Sequence, residues 1–201
     1  DNQEIINKSS TIFLGLTPFV GNKILPKLKF SKSKKIISLI STINLEKLKK
    51  ITKNKNIVRA TPLPPIEINK GPIVICPPNK SAKNLFKYLG LVIEIKSENL
   101  SYKFWSTASI MAAYYELLNI SSGWLIKKGI KKNIANNYIS ELFLSLSQDA
   151  VNKGSQGFKK LVKDSQTPKG LNMQVLNELK KAKFYNKFII ALENVNKRVS
   201  K

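Results

Sequence analysis

No histidine occurs in this sequence, and there is a single cysteine, Cys76. Histidine is the commonest general base at neutral pH and the commonest metal ligand. Its absence excludes Ser-His-Asp and Cys-His nucleophilic sites. With one cysteine and scattered carboxylates, a transition-metal site is not expected. A disulfide framework is excluded as well. Cys76 stands in the apolar run Ile73-Val-Ile-Cys76 and reads as a small buried hydrophobe. No run reaches the ~18 apolar residues of a membrane span, and no signal-peptide pattern is visible. The expectation is a cytoplasmic protein with no membrane partner. Any chemistry must come from a cofactor or from positioning.

Arginine is scarce too. Arg59 and Arg198 are the only two, so 33 of the 35 cationic side chains are lysines. The formal net charge is +23. A basic chain often binds nucleic acid, yet arginine is the residue suited to bidentate phosphate and guanine recognition. The charge is also even: residues 1–100 carry 18 Lys/Arg against 6 Asp/Glu, and residues 101–201 carry 17 against 6. An even lysine excess reads as a solvated surface in an Asn- and Ile-rich chain, and no nucleic-acid partner is expected.

The apolar fraction of 42% allows a real core. Thr11–Leu16 is a continuous apolar run stopped by Thr17-Pro18, as in a buried strand of a parallel sheet. Val20–Leu28 follows with helical spacing, then the strand Ile36–Ile40. Asn44 is a good N-cap for an amphipathic helix reaching Ile51. Ile57–Arg59 and Ile73–Cys76 are strands joined by a stiff connection containing Pro62, Pro64 and Pro65. Ser81–Leu89 reads as a helix closed by Gly90, and Leu91–Ile95 as a last strand. The first 96 residues are therefore α/β, a sheet with helices on its faces. From 97 onward the pattern is all-α. Phe104, Ala108, Met111, Tyr115 and Leu118 mark one face of a first long helix. Ile134, Tyr138, Leu142, Leu146 and Ala150 mark a second. Phe158–Val162, Leu171–Ala182 and Phe184–Val199 are further helices, with a turn at Thr167–Gly170.

The order of these segments resembles the pyrroline-5-carboxylate reductase family, over nearly the whole chain. Asp1-Asn2 is similar to the D-N pair before the family's fourth strand. Phe13-Leu-Gly-Leu-Thr-Pro18 resembles its L-A-V-K-P strand end. Ile37–Ile43 with Asn44–Leu48 resembles I-S-I-A-A-G-I and its short helix. Arg59-Ala-Thr-Pro-Leu-Pro-Pro65 resembles R-x-M-P-N-x-P. Phe86–Ile95 resembles F-x-x-L-G-x-V-x-E-V, and Asp164–Asn172 resembles the S-P-G-G-x-T turn and its approach.

The resemblance implies the C-terminal part of a Rossmann-like NAD(P)-binding domain over 1–96 and a helical dimerisation and substrate domain over 97–201. It implies reduction of a cyclic imine by hydride from NADP or NAD in reduced form, the last step of proline synthesis, in a homodimer or larger homo-oligomer. The cofactor supplies the hydride and the protein supplies proximity and electrostatics, which suits a chain without histidine. The implied cofactor contacts are Asn2 on the adenosine side, and Gly15, Leu16, Thr17, Pro18, Leu39, Ile40 and Ser41 on the nicotinamide side. The last seven fall at the ends of strands, outside whose carboxyl ends ligands of such sheets bind. The implied substrate contacts are Asp164, Ser165, Lys169, Leu171 and Asn172, at a turn opening a helix whose N-terminus suits a carboxylate. No catalytic side chain is assigned.

Three departures from the family pattern stand out. The G-x-G-x-x-G loop is absent from these residues. The family carries it upstream of the segment matching Asp1, so either about 60 residues precede this stretch, two βα units at ordinary lengths, or the cofactor half is gone. This stretch alone is expected to bind a dinucleotide poorly. The family's S-G-S-G-P-A-Y is here Ala108-Ser-Ile-Met-Ala-Ala-Tyr114, which crowds a close backbone approach. Leu63 and Asn172 replace a family Asn and Thr where the substrate is read. These losses keep an alternative open, a non-catalytic relative acting as a dimeric scaffold or regulatory protein.

Overall fold

The structure is a computed structural model that describes residues 1–200. Ten α-helices and five strands are formed among the described residues. They fall into two compact units. One comprises Asp1–Ser109 with the segment from Leu192, and the other Ile110–Ala191.

The first unit is a five-stranded sheet in sequence order: β1 (Thr11–Leu14), β2 (Lys35–Ser38), β3 (Ile57–Thr61), β4 (Pro72–Cys76) and β5 (Leu91–Glu94). β1, β2 and β3 run parallel, β4 returns antiparallel to β3, and β5 is parallel to β4. The helices are α1 (Asn2–Lys8), α2 (Pro18–Ile24), α3 (Leu45–Thr52), α4 (Lys80–Phe86) and α5 (Glu98–Ala108). Side chains alternate across the sheet as the two-residue period of a strand requires. Ile12, Leu14, Ile36 and Ile57 face one cluster with Ile6 of α1, Leu25, and Leu45 and Leu48 of α3. Ile37, Val58, Ala60, Ile73 and Ile75 face the other with Ala82 and Phe86 of α4.

Local chemistry places these elements. Thr17, Asn44 and Asn79 cap α2, α3 and α4 through their side-chain oxygens, and each satisfies a backbone N–H that the first turn leaves free. After α3, buried Asn54 donates to the Ser31 and Lys34 carbonyls and accepts from the Asn56 N–H, which ties the approach to β3. The stiff connection between β3 and β4 winds into a 3-10 turn over Pro64–Ile68.

Two expectations change. Gly90 was expected to terminate a helix reaching Leu89, but α4 stops at Phe86. Gly90 is needed for close approach, since a Cβ there would lie 2.3 Å from the Gly71 carbonyl oxygen. The stripe from Phe104 to Leu118 was expected to be one helix. It is two, α5 and α6 (Met111–Lys127). At the junction the Ser109 hydroxyl and N–H both donate to the Ser106 carbonyl. This local bonding competes with the helical ladder and ends it.

The second unit holds α6, α7 (Lys132–Asn152), α8 (Phe158–Asp164), α9 (Leu171–Lys181) and the start of α10 (Phe184–Val199). Within 110–191, Ala135 and Ile139 are the fully buried hydrophobics among the described residues. Ile120, Trp124, Tyr138, Leu144 and Leu146 are more than half exposed. None of the described helices is long and apolar enough to cross a membrane.

The core makes a direct forecast. Leu48→Ala, at a fully buried position, is expected to cost ~2–5 kcal/mol in urea unfolding. Leu91→Ala, at a position 69% exposed, is expected to stay within about 0.5 kcal/mol. Equal effects would contradict the packing described.

Candidate functional site

The register of the sheet places Leu14, Ser38, Arg59 and Cys76 in one row across β1 to β4. Beyond that row lie the turns that follow β1 and β2. Gly15, Leu16 and Thr17 lead into α2, with Pro18 its first residue; Leu39, Ile40 and Ser41 lead toward α3. The Leu39 N–H donates to the Leu14 carbonyl at 3.1 Å, which joins the two turns side by side. α2 is drawn close at Gly21, where a Cβ would sit 3.1 and 3.2 Å from the Cδ1 atoms of Ile40 and Ile43. The seven residues expected on the nicotinamide side therefore form one edge. Gly15 and Thr17 are exposed there, and Leu16, Pro18, Leu39 and Ser41 are half-buried. Ile40 is fully buried. Its N–H donates to Ser38 Oγ and its carbonyl accepts from Arg59, so Ile40 holds the loop from beneath. Asn2 is exposed in the first turn of α1.

Arg59 is the residue that sequence reasoning underrated. It is 1% exposed. Its Nη2 donates to the Ile40 carbonyl at 3.2 Å and the Ser41 carbonyl at 2.5 Å, and its Nη1 pairs with Glu98 Oε1 at 2.5 Å. The same Glu98 oxygen accepts from the Leu45 N–H at 2.9 Å. The guanidinium lies over the rings of Tyr102 (5.2 Å) and Trp105 (5.5 Å) of α5, in cation–π contact. Nε is the one buried side-chain N or O atom without a partner among the described residues. A clue was available: an arginine in the otherwise apolar run Ile57-Val-Arg-Ala60, in a chain that otherwise uses lysine.

The cluster shifts its neighbours. Burial pushes the Cys76 thiol up; Glu98 adds to this and Arg59 opposes it. Burial likewise pushes the Tyr102 phenol up, with Arg59 opposing and Glu98 adding.

The second set of candidates is local to one turn. Asn172, near the start of α9, donates through Nδ2 to the Ser165 carbonyl at 2.9 Å. The Gly170 N–H donates to the Thr167 carbonyl at 2.8 Å, and a Gly170 Cβ would come within 2.1 Å of Thr167 Oγ1. Lys169 takes the left-handed conformation, φ 60°. Asp164 pairs with Lys160, and Leu171 is 81% exposed. Asp164, Ser165, Lys169, Leu171 and Asn172 thus share one hydrogen-bonded turn within the helical unit.

Taken together, the fold defines a class: a Rossmann-like sheet unit followed by a helical domain rich in unpaired apolar faces. Residues 104–201 match the family model described as pyrroline-5-carboxylate reductase dimerisation. Among solved structures, the chain is similar to 1-pyrroline-5-carboxylate reductase from Streptococcus pyogenes, with a TM-score of 0.88 and 20% identity over 99% of this chain and 79% of that one. It is similar to the Plasmodium falciparum pyrroline carboxylate reductase solved with NADP bound, with a TM-score of 0.87 and 21% identity over 99% and 79%. The Coxiella burnetii pyrroline-5-carboxylate reductase gives 0.78 and 22% over 100% and 78%. No curated protein sequence matches significantly. Residues 104–201 thus match the dimerisation family of pyrroline-5-carboxylate reductases, and the resemblance of the chain to those reductases holds.

The raised pKa values set an alkaline limit. A group whose folded pKa lies above its ordinary value stabilises fully below that ordinary value and loses the contribution as pH rises toward the folded one. For Cys76 and Tyr102 the ordinary values are 9.0 and 10.0. Stability to urea is therefore expected to fall from about pH 9 upward, as each ionisation becomes easier in the unfolded chain. Cys76→Ala should flatten the lower part of that fall. A native Cys76 that reacts at once with a thiol reagent at neutral pH would contradict its burial.

Proposed function

We propose that the protein is a pyrroline-5-carboxylate reductase-like oxidoreductase that reduces a cyclic imine at the expense of NADPH or NADH, as in the last step of proline synthesis. The observation that carries this reading is the pairing of a family dimerisation domain over 104–201 with a sheet whose fold is that of the reductases. We assign 1–96 to the nucleotide side and 97–201 to dimerisation and substrate. Nothing in the comparisons favours a non-catalytic scaffold over this reading. A cytoplasmic location fits it.

The residues at the carboxyl edge suit the nicotinamide half of the cofactor. Gly15 to Pro18 and Leu39 to Ser41 offer backbone and apolar surface without an ionisable side chain, next to a buried guanidinium with an orphaned Nε. The uncharged dihydronicotinamide ring of the reduced cofactor suits such a surface. No residue from 1 to 201 forms a glycine-rich pyrophosphate loop, so the fit concerns the nicotinamide end and, at Asn2, the adenosine side. The bound nicotinamide supplies the hydride. The protein holds the two reactants in contact and excludes water. At the turn before α9, the backbone N–H groups and Lys169 hold the substrate carboxylate. Asn172 shapes that turn through Ser165, with Asp164 and Leu171 at its border.

A homodimer or larger homo-oligomer follows from the helical unit. Side chains such as Trp124, Tyr138 and Leu146 are 59–60% exposed, in a unit with almost no core of its own. Apolar surface on that scale marks an interface.

The full-length protein is expected to consume NADPH or NADH only when a cyclic imine carboxylate is added, followed by loss of nicotinamide absorbance. Failure with both nucleotides and every cyclic imine would sink the reading. Lys169→Ala should raise the KM for the imine about three- to tenfold, a loss of ~0.7–1.4 kcal/mol, and leave the nucleotide KM alone. Trp124→Glu should shift the protein toward monomer in light scattering.

A further inference from the structure

We propose that Arg59 is a positioning residue for the nucleotide: it holds the loop between β2 and α3 in its receiving shape, and α5 in turn holds Arg59 through Glu98, Tyr102 and Trp105. This rests on the reading above, which puts the nicotinamide against that loop. The geometry is specific to a guanidinium. Nη2 takes the carbonyls of Ile40 and Ser41, at the start of the loop. Nη1 takes Glu98 Oε1, which also accepts from the N–H of Leu45, the first residue of α3. One ion pair therefore clamps both ends of the loop. Nε has no partner, so the terminal nitrogens alone set the plane of the group.

The loop's other polar restraints lie at its two ends, where the Leu39 N–H donates to the Leu14 carbonyl, the Ile40 N–H to Ser38 Oγ and the Lys47 N–H to Asn44 Oδ1. Between Ser41 and Asn44 it carries no proline or glycine, and Thr42 and Asn44 are exposed. Its inner side is fastened by Ile40 and Ile43, both buried. Its outer side, at Leu39 and Ser41, is half-exposed at the edge where ligands of parallel sheets bind. If Arg59 is lost, two carbonyls lose their donor and Glu98 loses its buried counter-ion. The outer side is then free to shift while the core beneath it stays packed. A lysine retains the charge but has one point-like ammonium, which cannot span two carbonyls and a carboxylate in a planar fork. The device also links two parts of the chain: α5 follows the sheet and leads into α6, so the helix at the start of the dimerisation region fixes the nucleotide loop.

The test is direct binding of NADPH by calorimetry to the full-length protein, together with separate KM values for nucleotide and imine. Arg59→Lys is expected to weaken NADPH binding about tenfold or more while the imine KM stays within about twofold. Glu98→Gln keeps an oxygen for Leu45 and Arg59 but removes the counter-charge, and is expected to weaken NADPH binding about threefold. If Arg59→Lys does not fold, as judged by circular dichroism, Glu98→Gln decides. Unchanged NADPH affinity in a folded variant overturns the proposal. So does a parallel loss of both KM values with melting temperature, which marks a purely structural arginine. An unmodified protein that binds no NADPH overturns the functional reading itself, and the proposal with it.

Discussion

A buried guanidinium organises the sheet unit. Arg59 is in the central strand of five, nearly inaccessible to water, and satisfied by two backbone carbonyls, one carboxylate and two aromatic faces. Removing one partner of a buried pair costs about 3–5 kcal/mol; here Arg59 is 1% exposed and Glu98 21% exposed, so the guanidinium is the partner that would be left charged and dry. A well-packed apolar group would serve stability as well or better. The ion pair is therefore better understood by what it orders. It joins the loop after β2, the start of α3 and the first helix beyond the sheet. Both ends of one loop and a helix more than fifty residues later in the sequence are brought into register by one side chain.

The carboxyl edge of the sheet beside it is built from backbone rather than from ionisable side chains. The edge consists of backbone from two adjacent βα turns, and its shape is set by capping and packing. Thr17 and Asn44 fix where α2 and α3 begin. Gly21 lets α2 approach Ile40 and Ile43. The chemistry expected of a nicotinamide enzyme asks for orientation and water exclusion more than for an acid or base on the protein. The helical unit, taken by itself, carries a turn bonded through Asn172 and the Ser165 carbonyl and apolar side chains that stand more than half exposed.

Much of the fold was legible because its signals are local. Continuous apolar runs gave the strands, and Asn44 gave the start of α3, whereas the caps Thr17 and Asn79 emerged only in the structure. Asparagine and threonine oxygens meet free N–H groups in any context. The breaks that went unread were also local but weaker: Ser106 and Ser109 interrupt a stripe whose apolar period continues through them. The antiparallel return of β4 was not legible, since the proline-rich connection states that the chain is stiff but not where it points.

The sequence by itself narrowed the chemistry to be expected, through what it lacks, and determined the order of strands and helices, through hydrophobic period and capping. It also carried the family resemblance, as ordered short motifs. Tertiary structure alone decided what Arg59 does. Its partners Ile40, Ser41, Glu98, Tyr102 and Trp105 lie 18 to 46 positions away on either side. No local pattern encodes a contact of that range, because it arises only when the sheet closes and α5 packs across its edge. The same holds for Gly90, whose role is set by the Gly71 carbonyl and not by the helix before it.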